Sequence, residues 1–236
     1  MRVGAVVVLL AALVACTGRG GLFRDYEYEE ELYLSLDGRA TVYVNSSVAA
    51  LVALRGAPFA ARPNTRVDRQ AVRDFFSAPG VEVAPVRTSR RHGRPFIHVR
   101  IDADNLAQLQ ATKPFAWSSY QFEKNNNAIE FRQIVGAVPT QVPEGVNWTG
   151  DEAIAFRLHA PSRILDNNSG ARVQRGNIVE WIQSLADRMR GVPLTIEVRM
   201  EQQSILFQTL SLFVATIVAV ALLFVGLIWW IRSRAK

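Results

Sequence analysis

The most regular pattern in the chain is an alternation of apolar and acidic residues that begins at Asp25. Apolar and aromatic side chains share one parity, and carboxylates occupy the other. A period of two with this contrast predicts a strand with one buried face and one solvated, acidic face. Asp37-Gly38 then predicts a two-residue hairpin turn into a partner strand. The apolar positions are Tyr26, Tyr28, Leu32, Leu34 and Leu36, the acidic ones Asp25, Glu27, Glu29 and Glu31, and the partner strand contains Ala40, Val42 and Val44.

The rest of the body combines more alternating segments with short helical ones. Asn45-Ser46-Ser47 predicts the N-cap of a helix through Leu54, which Gly56 ends. Strands with few and short helices between them are typical of an α+β fold built on an antiparallel sheet with short helical insertions. Further helices are predicted at Val67–Phe76 and, capped by Asp104, at Asn105–Gln110, and further strands near 81–87, 95–102, 115–123, 128–135, 154–158, 178–181 and 194–200.

The C-terminal part of the chain predicts a transmembrane helix. Leu212 to Ile231 is an unbroken apolar run, and Arg232, Arg234 and Lys236 follow it. Twenty residues in a helix span about 30 Å, the thickness of the hydrocarbon core of a bilayer. The indoles of Trp229 and Trp230 favour the interface, and short basic tails stay in the cytoplasm. We therefore expect a transmembrane helix at 204–231, a cytoplasmic tail at 232–236 and the body on the outer side; a buried core helix is the alternative.

The N-terminus has the pattern of an export signal. Val3 to Ala15 is apolar, which is long enough for a signal peptide and too short to span a bilayer. The run Leu13-Val14-Ala15-Cys16 resembles a bacterial lipobox, which implies a signal peptide at 1–15 and a diacylglycerol on Cys16. An ordinary signal peptide, or an anchor that is not cleaved, is the alternative. Residues 16–21 then form the lipidated cysteine and its tether, and 22–203 form the exported domain.

Charge and composition exclude one class of partner. The net charge is +6, but Arg2, Arg232, Arg234 and Lys236 belong to the two ends. Without these four residues, 23 basic residues face 21 acidic ones. A body so nearly neutral has no general field that would attract nucleic acid. Cys16 is the only cysteine, so core packing must stabilise the body without a disulfide.

The sequence also lacks the usual signatures of a metal site or an enzyme. His92, His98 and His159 show no HxxxH or HExxH spacing, and there is no second cysteine to act as a ligand. Gly-x-Ser-x-Gly and the glycine-rich phosphate loops are also absent. We therefore expect no metal, no cofactor and no catalytic residue.

Two groups of residues are candidates for ligand binding. The basic turn with Arg87, Arg90, Arg91 and Arg94 has the charge to contact lipid phosphates, and its alternative is a solvated loop. Aromatic residues at Phe115, Trp117 and Tyr120 fall on both faces of one predicted strand. That pattern is typical of a strand buried on both sides, or of one that lines an apolar pocket.

The order of elements resembles the LppM-type domain of bacterial envelope lipoproteins. The individual residues that carry the resemblance are Phe156 and Pro161 in the segment 155–161, the turn Asn168-Ser169-Gly170, and Trp181. A longer segment at 58–80 and an insert at 185–191 depart from the family pattern. The resemblance implies an exported domain that faces envelope lipids and is not a catalyst.

Two functions remain open at this point. The first is a binding module at the bacterial inner membrane that takes an envelope lipid or another apolar ligand, with an apolar pocket beside the basic turn. The second is a structural or accessory protein that docks another component of the cell envelope. A continuous apolar cavity would favour the first function, and a flat apolar patch would favour the second.

Overall fold

The computed structural model shows an α+β body of two β-sheets followed by one long apolar helix, as the sequence predicts. It describes residues 26–62, 64–91, 93–125, 127–136, 143–144, 146, 148–149 and 152–234. The first sheet has the order β10-β8-β1-β2-β5, with β3 and β4 both on the outer side of β5, and the second has the order β6-β7-β11-β9. The strands are β1 Tyr26–Leu34, β2 Ala40–Ser47, β3 Val81–Val83, β4 Arg87–Arg91, β5 Arg94–Ala103, β6 Ser118–Lys124, β7 Ile129–Val135, β8 Ala153–His159, β9 Ser162–Asn167, β10 Ile178–Ser184 and β11 Leu194–Ser204.

The topology differs in two ways from the single antiparallel sheet that the alternation predicts. The strands divide into two sheets, and β1 pairs in parallel with β8 while all other strand pairs are antiparallel among the described residues. The β1–β2 connection is also longer than a two-residue turn, because pairing ends at Leu34 and Ala40. Local alternation predicts that a strand exists, but it does not determine which distant strand becomes its neighbour.

Short helices fill the spaces beside the sheets, with caps that the sequence supplies. Helix α1, Val48–Arg55, begins where the Ser47 hydroxyl accepts the Ala50 N–H, and it ends at Gly56, whose φ of 63° favours glycine. Helix α2, Arg69–Phe76, is capped by Asp68, and α3 is Leu185–Met189. The predicted helix at 105–110 is a 3₁₀ helix at Leu106–Ala111, and its cap is Asn105, not Asp104.

The last helix, α4, covers Ile205–Arg234 and continues directly from β11. Its segment Thr209–Arg234 is long and apolar enough to cross a membrane, and none of its most apolar window is buried inside the protein. The body therefore does not cover the apolar surface of this helix. That exposure argues against a buried core helix and agrees with the predicted span at 204–231.

The core lies between the sheets and contains a buried charged cluster. Arg55 donates from Nη2 to Glu30 Oε2 at 3.0 Å, and the side chains of this ion pair are each 2% exposed. The Tyr28 hydroxyl accepts from Arg55 at 2.9 Å and donates to Glu30 at 2.8 Å. Gln133 of the second sheet donates to the other oxygen of Glu30 at 2.9 Å. The cluster thus connects β1, α1 and β7 across the core.

The predicted solvated acidic face of β1 is wrong, since its carboxylates are ion-paired. Glu29 and Glu31 both contact the Arg157 guanidinium, which also binds Glu180 at 2.7 Å. Glu27 is 4% exposed and pairs with Arg94 at 2.5 Å. The basic partners come from β5 and β8, which lie far from β1 in sequence. Asp25, the remaining member of the predicted set, lies outside the described residues.

Pairing and packing contacts give the body two opposite ends. Ser184 pairs with Ala153, which in turn is level with Tyr26 at the start of β1. Helix α3 follows Ser184, and its Arg188 donates to the carbonyl of Val135, the last residue of β7, at 3.2 Å. Since Val135 pairs with Leu194, β11 also begins here. We call this end of the body, where β1 enters, the entry end.

At the opposite end, the β1–β2 connection approaches the second sheet, where Gly38 lies beside the Phe122 ring of β6. Met200 of β11 pairs with Ile129, at the start of β7, and Gln202 hydrogen-bonds the carbonyl of Asn125. Helix α4 begins immediately beyond, at Ile205. We call this end the helix end.

Truncation of the buried arginine tests how strongly the fold depends on the charged cluster. Arg55→Ala should lower the free energy of unfolding of the body by about 3–5 kcal/mol, because it leaves the Glu30 carboxylate buried without its cation. Arg39→Ala is the matched control, since the Arg39–Asp37 pair is 67% and 51% exposed, and its loss should change the free energy of unfolding little because water screens exposed ion pairs. Urea denaturation measures both values. Equal effects of the two substitutions would contradict a special role of the cluster.

Candidate functional site

The predicted basic turn is the tip of the β4–β5 hairpin at the entry end. Arg91 pairs with Arg94 across the tip, so strand β4 continues through much of the segment that the sequence predicts as a turn. Arg87 and Arg90 are exposed, and Arg91 lies over the Phe96 ring, with its guanidinium carbon 4.9 Å from the ring centroid. Arg94 is different, because it forms the ion pair with buried Glu27. Three of the four predicted arginines therefore remain available to a ligand.

An open cavity of about 1020 Å³ lies between this hairpin and the start of α2. Arg90 crosses it and donates to Asn64 Oδ1 at 3.3 Å, and Arg69 donates to Thr88 Oγ1 at 3.2 Å. These contacts hold the loop before α2 against the edge strand β4. The lining is polar rather than apolar and consists of Thr65, Arg66, Val67, Asp68, Arg69, Gln70, Thr88, Ser89, Arg90 and Pro95.

Six arginines form a basic edge along β4 and α2, and none has an ion-pair partner among the described residues. Elsewhere on the body, Arg132 and Arg163 are paired with carboxylates, whereas Arg172, Arg175 and Arg199 also have no ion-pair partner among the described residues. Two nearby carboxylates reduce this charge without forming ion pairs with the six arginines, since Asp68 caps α2 and Asp74 accepts from Gln70. The six residues of the basic edge are Arg66, Arg69, Arg73, Arg87, Arg90 and Arg91.

Sequence reasoning found only the half of this edge that belongs to β4. Arg66, Arg69 and Arg73 were missed because Val67–Phe76 was interpreted by its apolar face alone. The available signal was the four-residue spacing of Arg69 and Arg73, which places both side chains on one face of a helix, whereas Arg66 lies before the helix begins. The spacing does not predict that α2 lies beside β4, because that contact is a property of the tertiary structure.

A chain of hydrogen bonds crosses the outer face of the first sheet next to the basic edge. Asn45 donates to Glu29 at 3.0 Å, so its carbonyl oxygen faces His98 Nδ1 at 2.8 Å. His98 Nε2 lies 2.8 Å from the Ser89 hydroxyl. The neutral ring then donates from Nδ1 and accepts from Ser89, the order found in serine–histidine pairs of acyl-transfer enzymes. Here the chain joins four neighbouring strands, and we interpret it as the tie that fixes the hairpin to the sheet.

The three aromatic candidates do not line the cavity at the basic edge. Phe115 is fully buried in the core, with its ring centroid 6.2 Å from that of Phe76. Trp117 is half-buried in the turn before β6 and lies near Gly56. Tyr120 is half-buried on β6, and burial, followed by the charge of Glu30, raises its pKa well above the usual range. An apolar pocket beside the basic turn, as expected from the sequence, is therefore not what the structure shows.

Two further expectations concern sites of other kinds. Cys16, the predicted lipidation site, lies outside the described residues, as do the signal peptide at 1–15 and the tether. Among the described residues, no group of three or more histidine, aspartate, glutamate or cysteine side chains could hold a metal ion.

Comparisons with known proteins give one match. No family model matches the chain, and no curated protein matches it. Among solved structures, the NMR structure of the folded domain of the LppM protein of Mycobacterium tuberculosis matches with a TM-score of 0.41 and 14% identity, over 78% of this chain and 95% of that domain. A likeness this weak gives no information about binding, and the functional argument rests on this chain's own residues.

The His98 ring should make the stability of the body depend on pH. Burial, and then the charges of Arg91 and Arg87, lower its pKa below the usual value. The unfolded chain then binds the proton more readily, so stability falls as the pH drops through about 6.5. His159 shifts in the same direction. The raised pKa of Glu29, caused first by its burial, has the opposite effect nearer the carboxylate range.

The measurement compares melting temperatures at about pH 7.5 and about pH 5.5, on either side of an ordinary histidine pKa. His98→Gln should lose less thermal stability on acidification than the unmodified body, because one of the titrating rings is gone. Ser89→Ala is the control, since it removes the same hydrogen bond but leaves the ring and its pH dependence. A pH dependence that is unchanged in His98→Gln would show that this ring does not contribute.

Proposed function

We propose that the protein is a membrane-anchored lipoprotein of the bacterial cell envelope, whose exported domain binds the anionic headgroups of envelope lipids at the basic edge. The observation that carries this proposal is the set of six arginines without carboxylate partners beside an open, polar cavity. Guanidinium groups bind phosphate oxygens through paired hydrogen bonds, which suits them to lipid phosphates. The ligand group is then the headgroup, and not the acyl chain that an apolar pocket would take.

The two ends of the chain supply the anchors in this proposal. Helix α4 crosses the inner membrane, with Arg232 and Arg234 at its cytoplasmic end, and the body lies on the extracytoplasmic side. The lipid on Cys16 enters the outer leaflet of the same membrane. The domain is not an enzyme and carries no cofactor, so its function consists of binding alone.

Docking of another envelope component is the second candidate. Ile182 on β10 and Val192 are 44% and 42% exposed, and Gln183 beside Ile182 hydrogen-bonds the carbonyl of Val192 at 3.3 Å. Strand β10 is also an edge strand of the first sheet. Exposed apolar residues beside an open strand edge are the kind of surface that accepts a protein partner.

Vesicle binding by the body, residues 22–204, tests the headgroup proposal. The body should bind vesicles of phosphatidylcholine with phosphatidylglycerol more tightly than phosphatidylcholine alone. Arg90→Glu with Arg91→Glu should weaken anionic binding at least about tenfold, since each basic group near such a surface contributes about 1 kcal/mol. Arg172→Glu with Arg199→Glu changes the net charge equally at exposed positions away from the basic edge and should have little effect. Equal weakening by both pairs, or no binding at all, would favour the docking function.

Acylation at Cys16 tests the lipid anchor separately. Cells that express the full chain with a fatty-acid analogue should label it, and Cys16→Ser should abolish the label because Cys16 is the only thiol in the sequence. Release of the signal peptide should also fail in this variant. A label that persists in Cys16→Ser would refute the lipoprotein assignment but would leave α4 as an anchor.

A further inference from the structure

The imidazole ring of His98 lies beside the basic edge. His98 pairs with Arg87 across β4 and β5, so the two side chains are neighbours on the same face of the first sheet. The ring is 2.8 Å from the hydroxyl of Ser89, which also lines the open cavity. In the proposed function, on which this inference rests, the lipid headgroup binds at this edge. Ser89 thus connects the ring to the surface that contacts the ligand.

The neutral ring takes the proton of the Ser89 hydroxyl for its own hydrogen bond. Asn45 donates its amide to Glu29 at 3.0 Å, so its carbonyl oxygen accepts from Nδ1–H of His98 at 2.8 Å. Nε2 then carries no proton and must accept from Ser89. A hydroxyl group has a single proton to donate. As long as His98 is neutral, Ser89 therefore cannot donate to a phosphate oxygen in the cavity.

Protonation of Nε2 reverses this hydrogen bond. Both ring nitrogens of a charged histidine donate, so the Ser89 oxygen becomes the acceptor and its proton is free to turn toward the cavity. The ionised phosphate of a lipid can only accept hydrogen bonds, and bonds to such an anion are stronger than those between neutral groups. Protonation also places a positive charge next to Arg87. The site thereby gains one donor and one charge, and both favour an anion.

Without a bound anion, the surroundings of the ring oppose its protonation. Burial, and then the charges of Arg91 and Arg87, lower the pKa of His98. An anionic phosphate at the basic edge would offset the repulsion from these two arginines and would raise the pKa of the ring again. The charged and titratable groups around the ring on this face of the sheet are Arg87 and Arg91 on β4, Tyr43 on β2, Arg100 on β5, which is bound to Asp102, and Glu29 on β1, which Asn45 separates from the ring.

We propose that protonation of His98 strengthens the binding of anionic headgroups at the basic edge, so that the affinity rises as the pH falls. The bound phosphate accepts from Ser89 and from the arginines, and the charged ring attracts it. Proton binding and headgroup binding then promote each other, as linkage requires. Acid therefore has opposite effects through one ring, since it destabilises the free body but strengthens the contact with lipid. The negative potential of an anionic bilayer attracts protons, which favours the charged ring at that surface.

Titration of the full chain with a soluble headgroup tests this proposal. The chain in micelles of a maltoside detergent is titrated with glycerophosphoglycerol, the free headgroup of phosphatidylglycerol, at about pH 7.5 and about pH 5.5. The affinity should be about fivefold higher at the lower pH, the effect of one more basic group beside an anionic lipid. His98→Gln should remove most of this increase, and Ser89→Ala should reduce it. His159→Gln is the matched control and should keep the increase, because β1 and β2 separate its strand, β8, from β5.

Titration of the histidine rings by NMR provides the second arm, and the three histidines of the chain can be assigned with single variants. His98 should titrate at a higher pH when glycerophosphoglycerol is present, whereas His159 should not change. An increase in affinity that persists in His98→Gln, or that is lost in His92→Gln instead, overturns the inference. Equal affinity at both pH values would refute the inference and leave the headgroup function intact. No binding at either pH would contradict the headgroup function itself.

Discussion

The arrangement of the body depends on one buried ion pair, Arg55 with Glu30. A charged pair in a core is expensive, because desolvation of both groups costs several kcal/mol unless hydrogen bonds satisfy them. Tyr28 and Gln133 supply such bonds, the first from the same strand and the second from the opposite sheet. These bonds form only when β1, α1 and β7 are all in their native places, and even then Arg55 Nη1 is buried without a hydrogen-bond partner among the described residues. The pair therefore specifies how the two sheets lie on each other, which apolar contacts alone would leave less defined.

The distribution of charge on the surface also depends on which arginines form ion pairs with carboxylates. On the outer face of the first sheet, Arg157 is shared by three carboxylates of β1 and β10, so no positive charge remains on this part of the face. Arg94 is likewise bound to Glu27. Arg172, Arg175 and Arg199 are also without ion-pair partners among the described residues, but the largest group of such arginines lies on β4, on α2 and just before α2. A nearly neutral body can thus present a strong local field without a high net charge.

Sequence patterns predicted most elements of the fold and part of the site. The alternation around Tyr28, the cap at Ser47 and the apolar run of α4 are local signals, and the structure contains the elements that they predict. The parallel pairing of β1 with β8 and the burial of Glu30 depend on contacts between distant segments. Glu30 has the parity of a core residue, but nothing near it in sequence identifies Arg55 as its partner. Of the two alternatives for the aromatic residues, the structure places Phe115 in the core against Phe76 of α2 and not toward the arginines.

The parallel pairing also matters while the chain is being completed. Strand β1 can pair with β2 as soon as both have been synthesised, but residues 35–152 must come before β8 reaches its other edge. An open strand edge invites pairing with another copy of the chain. During that interval, Glu29 and Glu31 still lack Arg157, and two copies of β1 would repel each other through these carboxylates. Glu29 and Glu31 therefore have two roles. Before β8 arrives, they repel other copies of β1, and in the complete sheet they form ion pairs with Arg157.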